Sequence, residues 1–173
     1  VQSKSYKFDS SFYYRLPAAP FGQVDLAKRS KLSSLVDQIL ELADARAGYC
    51  LVLGGVDGSL ALELVRKSDL QVVVLEKDVA KIEAIRASLD EAGVYGVRAS
   101  VLDGSLGERK LGPMLFNLIV SESHLLKGQL PPSASVDLLR SLAPSGGTLV
   151  LGPVGNLDEA QRWLGQADNR LVR

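Results

Sequence analysis

Apolar residues along this chain follow two patterns, one typical of amphipathic helices and the other of buried strands. Over residues 31–46 they recur at helical spacing, which predicts an amphipathic helix. Residues 71–75 read Gln-Val-Val-Val-Leu, and such an apolar, β-branched run is typical of a strand buried on both faces. The same patterns predict strands at 49–53, 71–75, 97–102, 116–120 and 148–151, and helices at 31–46, 59–67, 79–92, 136–142 and 157–165.

Predicted strands and helices alternate along the chain from residue 31 onward. Such alternation indicates a parallel sheet whose strands are joined by right-handed helical crossovers. Strands that are apolar throughout need helices on both faces of the sheet. We therefore predict the α/β class, with a doubly wound parallel sheet of five strands in the order 3-2-1-4-5. Only about 20 residues follow the fifth strand, so no C-terminal antiparallel hairpin is expected.

Residues 1–23 do not share this alternation. They contain six of the nine Tyr and Phe residues of the chain, together with two of its prolines. Aromatic residues at this density are unusual in a free tail. We interpret this segment as an arm laid over the domain or as a linker from an upstream domain, and assign residues 24–173 to the α/β domain.

Composition and charge argue against several kinds of partner. Lys plus Arg and Asp plus Glu each number 20, so no global field attracts nucleic acid or an anionic membrane. No apolar stretch reaches the roughly 18 residues of a membrane span, and no signal peptide opens the chain. The single cysteine, Cys50, cannot form an internal disulfide. We expect a soluble domain; its first residue, Val1, also fits a piece of a longer protein, so the compartment stays open.

A glycine-rich turn connects the first predicted strand to the helix that follows it. The turn reads Gly54-Gly55-Val56-Asp57-Gly58. In an open α/β sheet, ligands bind beyond the carboxyl ends of the strands, where glycine permits close approach and the next helix offers free N–H groups. The ligand-binding hypothesis therefore assigns Gly54, Gly55, Asp57 and Gly58 to a nucleotide site. The alternative is that the glycines serve only to turn the chain.

Two acids follow the next two predicted strands. Glu76 comes directly after the second strand, where a carboxylate can accept two hydrogen bonds from a ribose diol. Asp103 follows the third strand, where it could reach the amino group of an adenine. The alternative for Glu76 is that it caps the helix beginning near Val79.

These features in this order resemble class I S-adenosylmethionine-dependent methyltransferases. The resemblance covers about residues 30–155 and includes the glycine turn, Glu76, Asp103, the run FNLIVSES and the run LAPSGGTLVLG. It implies a Rossmann-like methyltransferase core that binds S-adenosylmethionine and transfers methyl to an acceptor. Residues 92–97 (AGVYGV), followed later by FNLIVSE, also resemble methyltransferase-like domains within large bacterial quinoprotein chains that contain a PQQ β-propeller.

The chain departs from the family pattern at several positions. Val52 stands where the family has an acid two residues before the first glycine, and Val56 where it has the middle glycine. Asn117 stands where the fourth strand has an acid, and the strand is followed by Ser-Glu-Ser-His rather than an Asn-Pro-Pro-Tyr-like motif. A missing first acid implies a weaker contact to the methionine ammonium group. The resemblance therefore implies weak or vestigial cofactor binding.

Candidate catalytic groups are few. Glu122 and His124 follow the fourth strand, and His124, as the only histidine, either acts as a general base or lies in a solvated loop, which is the interpretation that we favour. One histidine excludes a multi-histidine metal site, and no metal is expected.

Two functions are compatible with these residues. One is a methyltransferase acting on an unknown small-molecule or protein acceptor. The other is a non-catalytic binding or scaffolding module that contacts other domains of a longer, quinoprotein-like chain. A nicotinamide-dinucleotide domain is less favoured, because the turn lacks the GxGxxG pattern.

Overall fold

The computed structural model of the protein describes residues 26–105, 108–131, 135–144, 146–151 and 157–171. The predicted N-terminal arm and the predicted domain boundary at residue 24 lie outside these ranges. Five strands are present in the described part: β1 (Ala47–Leu53), β2 (Asp69–Glu76), β3 (Ala99–Asp103), β4 (Leu118–Ser121) and β5 (Thr148–Val150). The helices are α1 (Leu26–Ala43), α2 (Ser59–Lys67), α3 (Val79–Glu91), α4 (Glu122–Lys127), α5 (Ser135–Ser141) and α6 (Leu157–Leu171).

All five strands form one parallel sheet in the order β3-β2-β1-β4-β5. The predicted fold class and strand order are confirmed, and within the described residues no antiparallel hairpin joins the sheet. The register places Leu53 opposite Leu75 and Ser121, and Glu76 opposite Asp103. The carboxyl ends of the four strands β1 to β4 therefore meet at one edge of the sheet.

Alternate residues of the strands pack into two separate hydrophobic cores, because successive side chains point to opposite faces of a sheet. Cys50 and Val52 belong to the core beneath α1, α2 and α3, whereas Leu51 and Leu53 belong to the core that contains Leu138 of α5 and Trp163 of α6. Each fully buried Leu or Val contributes roughly 1.5–3 kcal/mol. The predicted helical cover on both faces is confirmed, and it fixes the positions of the strand ends.

Helix α4 was not predicted from the sequence. It spans six residues, Glu122–Lys127, and starts directly where β4 ends. The Ser121 hydroxyl caps it by accepting a hydrogen bond from His124 N, and Gly128 ends it in the left-handed region, at φ 67°. The expectation that His124 lies in a solvated loop is therefore wrong: both Glu122 and His124 are buried in this helix.

Smaller differences from the predicted boundaries have local causes. Helix α1 stops at Ala43 rather than at residue 46, because Asp44 adopts φ 46°. Strand β3 begins at Ala99 rather than at residue 97, because the amides of Val97 and Arg98 turn back to bond the Val94 carbonyl. Among the described residues, no helix has the length and apolarity needed to cross a bilayer.

Candidate functional site

A cavity of about 340 Å³ opens at the carboxyl edge of the sheet. This is where ligands bind in open α/β sheets, and the volume falls within the range of roughly 300–1,000 Å³ typical of small-molecule sites. One wall consists of strand ends and the turn after β1, with Leu53, Gly54, Leu75 and Glu76. A second wall comes from the end of α4 and the segment up to Pro131.

The first two glycines of the turn lie in different environments, one at the cavity and one in the core. Gly54 lines the cavity, adopts φ 71° and donates its N–H to the Leu75 carbonyl at 3.0 Å. Gly55 faces inward instead: a Cβ there would lie 2.6 Å from Ile85 Cδ1 and 2.9 Å from Val74 Cγ1. Gly55 is therefore required for close packing and does not line the cavity.

The second half of the turn shapes the start of α2. Gly58 is the N-cap residue and adopts φ 83°, in the left-handed region. Asp57 Oδ1 accepts a hydrogen bond from Ser59 N at 3.0 Å. Neither residue lines the cavity. Of the four turn residues assigned to a nucleotide site, only Gly54 borders it, and the other three hold the turn in shape.

The two valines that depart from the family pattern occupy different environments. Val52 is fully buried, with Val74 and Val120 beside it in register. Val56 is 39% exposed and lines the cavity. Val52, at the position of the acid in the family pattern, is therefore part of the core. Val56, at the position of the middle glycine, narrows the cavity.

Glu76 lines the cavity and is buried there. It is only 6% exposed. Its Oε1 accepts hydrogen bonds from the amides of Lys77 at 2.8 Å and Asp78 at 3.0 Å, and its Oε2 lies 3.8 Å from Lys81 Nζ. The chain turns over the carboxylate directly after β2 and holds it at the cavity wall.

The cap of α3 is Asp78 and not Glu76. The Asp78 carboxylate accepts hydrogen bonds from Ala80 N at 3.0 Å and Lys81 N at 3.4 Å. The capping alternative for Glu76 is therefore wrong. Asp78 stabilises the start of α3, and Glu76 lines the cavity. The two roles can therefore be tested by separate substitutions.

Glu122 is the first residue of α4, and its side chain contacts the glycine turn. It is 6% exposed, and its Oε2 accepts a hydrogen bond from Val56 N at 3.3 Å. Burial raises the pKa of Glu122 to about 7, and the nearby carboxylates of Asp57 and Glu76 act in the same direction against the Val56 amide and Lys81. Glu122 does not line the cavity, so this buried carboxyl group is not placed to exchange a proton with a ligand there.

His124 and Asp103 do not line the cavity. His124 is 5% exposed within α4. Asp103 is exposed at the end of β3, and its backbone carbonyl accepts a hydrogen bond from Arg109 Nε at 2.6 Å. The residues directly after it, Gly104 and Ser105, do reach the cavity.

Sequence reasoning missed three lysines that line the cavity, Lys77, Lys81 and Lys127. A signal for the first two was present, because both follow Glu76 closely along the chain. Lys127 could not be placed because α4 was not predicted. In the part of the chain that the structure describes, no group of three or more His, Cys, Asp or Glu residues is placed to hold a metal ion.

No protein-family model matches the chain, and no curated protein matches it in sequence. Solved structures match it in fold. A proposed S-adenosyl-L-methionine-dependent methyltransferase from Methanococcus maripaludis aligns with 89% of this chain and 75% of its own, at 17% identity and a TM-score of 0.61. Phosphoethanolamine N-methyltransferase 2 of Haemonchus contortus aligns with 78% of this chain and 36% of its own, at 14% identity and a TM-score of 0.62.

The cyclase SpnF also matches, over 66% of this chain and 42% of its own, at 21% identity and a TM-score of 0.57. At such identities the likeness shows the fold alone, which is the Rossmann-like class I methyltransferase fold. A cyclase with this fold illustrates that the fold does not determine the reaction. The chain spans less than half of both SpnF and the Haemonchus enzyme.

Proposed function

We propose that this chain binds S-adenosylmethionine in the cavity at the carboxyl edge of the sheet and transfers its methyl group to an acceptor. The observation that carries the proposal is the placement of the buried Glu76 carboxylate at the cavity wall, beside the backbone of Gly54. The methyltransferase fold supports this proposal.

The cavity fits the adenosyl part of this cofactor better than its amino-acid part. Glu76 Oε1 is engaged by two backbone amides, which leaves the lone pairs of Oε2 to accept hydrogen bonds from a ribose diol. Gly54 presents backbone without a side chain at the cavity wall. In contrast, Val52 offers no acid to an ammonium group and Val56 reduces the space. We therefore expect a dissociation constant on the order of micromolar or weaker.

S-adenosylmethionine would supply a methyl group on a sulfonium, whose direct displacement needs mainly correct positioning of the acceptor. In this proposal Glu76 accepts hydrogen bonds from the ribose. Gly54, which has no side chain, lets the ligand lie close to the backbone. Glu122, although its pKa is raised close to neutral, does not line the cavity and is assigned no proton transfer. His124 has no part in this proposal, because it does not line the cavity.

Replacing Glu76 by Gln tests the ribose contact. Gln keeps an oxygen for the Lys77 and Asp78 amides but removes the charge, and hydrogen bonds to a charged acceptor contribute about 1.5–3 kcal/mol each. We expect S-adenosylhomocysteine to bind at least about tenfold more weakly to Glu76→Gln, together with a loss of thermal stability, because the Lys77 and Asp78 amides also lose a charged acceptor. Calorimetric titration of parent and variant measures the first quantity, and NAD serves as the comparison ligand.

Asp78→Ala is the matched control. It removes the α3 cap at a cost of about 1 kcal/mol and is expected to leave ligand affinity unchanged. If neither S-adenosylmethionine nor S-adenosylhomocysteine binds the parent, or if Glu76→Gln binds both ligands as the parent does, the proposed cofactor site is wrong.

The second candidate is a non-catalytic methyltransferase-like module within a longer, quinoprotein-like chain. The burial of an apolar Val52 at the position of the usual acid favours it. It predicts that the chain binds adenosyl ligands weakly or not at all and never turns over S-adenosylmethionine. Release of S-adenosylhomocysteine in the presence of a panel of amine, hydroxyl and carboxylate acceptors would exclude this candidate.

A further inference from the structure

The second wall of the cavity combines an apolar surface with a lysine. Leu126, Leu130 and Pro131 line it together with Lys127 and Gln129. Leu126 is 58% exposed, so the surface next to Lys127 offers an apolar area that solvent reaches. This wall belongs to α4 and the segment after it, whereas Glu76 ends β2.

The charges around the cavity are unbalanced. Among the residues that the structure describes, three lysines and one carboxylate line it. That carboxylate, Glu76, is already bonded to two amides and lies beside Lys81. Within the described ranges no carboxylate forms an ion pair with Lys127. A cation that borders a cavity without a paired anion attracts an anionic ligand, and apolar walls concentrate its field.

We propose that the acceptor is a small acid with an apolar body, and that Lys127 receives its carboxylate or phosphate group while Leu126 and Leu130 contact its apolar part. This inference rests on the proposed function, because it names the substrate class of the same site. Lys127 determines specificity through charge and plays no part in moving the methyl group. Lysine binds carboxylate and phosphate alike as a point charge.

Ligand-observed NMR titrations of the whole chain, saturated with S-adenosylhomocysteine, test the proposal. The probes are benzoate against benzamide, hexanoate against hexanamide, and phenyl phosphate. Each acid is expected to bind about fivefold more tightly than its amide, which corresponds to roughly 1 kcal/mol for a solvent-accessible ion pair. Lys127→Gln is expected to abolish this preference, and added salt to reduce it. Lys31→Gln, an exposed lysine on α1 away from the cavity, should preserve it. A preference for phenyl phosphate over both carboxylates would assign the group as phosphate.

The outcomes separate this proposal from the proposed function. If S-adenosylhomocysteine binds but the acids and amides bind equally in both pairs, or if Lys127→Gln retains the preference, the acidic acceptor is wrong and the cofactor site stands. If the acids displace S-adenosylhomocysteine, Lys127 receives the carboxylate of the cofactor, and the proposal is overturned. If the acids bind through Lys127 while S-adenosylhomocysteine does not bind at all, the anionic site stands and the methyltransferase function falls.

Discussion

At pH 8 the Glu122→Gln variant is expected to be more stable than the parent, by up to about 3 kcal/mol. The reason is that Glu122 is buried next to two other carboxylates, which raises its pKa to about 7, whereas its pKa in an unfolded chain is about 4.3. Ionisation of Glu122 above pH 7 therefore costs the folded state free energy, because a difference of one between the folded and unfolded pKa corresponds to about 1.4 kcal/mol. Gln is neutral at every pH and can still accept the bond from Val56 N.

The contribution of Glu122 to the free energy of unfolding is expected to decrease as the pH rises. Because the pKa of Glu122 is raised in the folded state, its favourable contribution is complete below about pH 4 and is lost as the pH rises through 7. The difference in unfolding free energy between Glu122→Gln and the parent should therefore be close to zero at pH 4 and reach its maximum above pH 7. Chemical denaturation at intervals from pH 4 to pH 9 measures it.

Glu108→Gln provides a control of the opposite sign. Hydrogen bonds from Ser105 lower the pKa of Glu108, so its contribution is present above its unfolded pKa and is lost as the pH falls. Replacing it should not stabilise the protein at pH 8. If Glu122→Gln shows the same difference from the parent at pH 4 and pH 8, then the Glu122 carboxyl is not buried as described.

Gly58→Val is expected to destabilise the domain by about 2–4 kcal/mol. A β-branched residue in the left-handed region costs roughly 1–3 kcal/mol, and Gly58 adopts φ 83°. A Cβ at this position would also lie 3.3 Å from Ile85 Cγ2 and 3.5 Å from both the Cα and the carbonyl oxygen of Ile85. The 3.3 Å contact is tighter than ordinary packing, and the two methyl groups of valine extend beyond Cβ, so crowding adds to the strain.

Gly93→Val separates the two contributions. Gly93 also has a positive φ, 68°, but a Cβ there would meet nothing within 4 Å. Gly93→Val should therefore show only the cost of placing valine in the left-handed region, about 1–2 kcal/mol. Thermal unfolding of both variants measures the difference, at about 2–4 °C for each kcal/mol in a domain of this size. Equal losses would mean that the close approach of the turn to Ile85 has no energetic importance.

The strands and helices could be predicted from the sequence because the residues that specify each element are close together along the chain. Each central strand is a short apolar run of β-branched residues, such as residues 71–75, and the helices between the strands repeat their apolar positions at the helical period. Helix α4 could not be predicted in the same way. It has six residues, fewer than two turns, which is too short for a periodic pattern to develop.

The site was predicted less completely because its properties depend on contacts between distant parts of the chain. The pattern placed Gly54 and Glu76 at the same edge, and both line the cavity. Nothing in the turn itself shows that Gly55 packs against Ile85, which belongs to a helix beyond the next strand. The raised pKa of Glu122 likewise depends on its burial and on the Asp57 carboxylate, which lies far earlier in the sequence and becomes its neighbour only after folding.

Because β1 lies at the centre of the sheet, its two neighbouring strands are expected to pair with it at different stages of folding. On one side Cys50 pairs with Val72 of the next strand along the chain, and on the other it pairs with Leu118, which the chain reaches only after β3. Closing the longer loop costs about 1 kcal/mol more entropy, so β1, β2 and β3 are expected to pair before β4 arrives. In kinetic experiments Val72→Ala should slow folding, whereas Leu118→Ala should mainly accelerate unfolding. Glu76 then reaches its final position early, and the cavity acquires its second wall only when β4 and α4 dock at the end of the reaction.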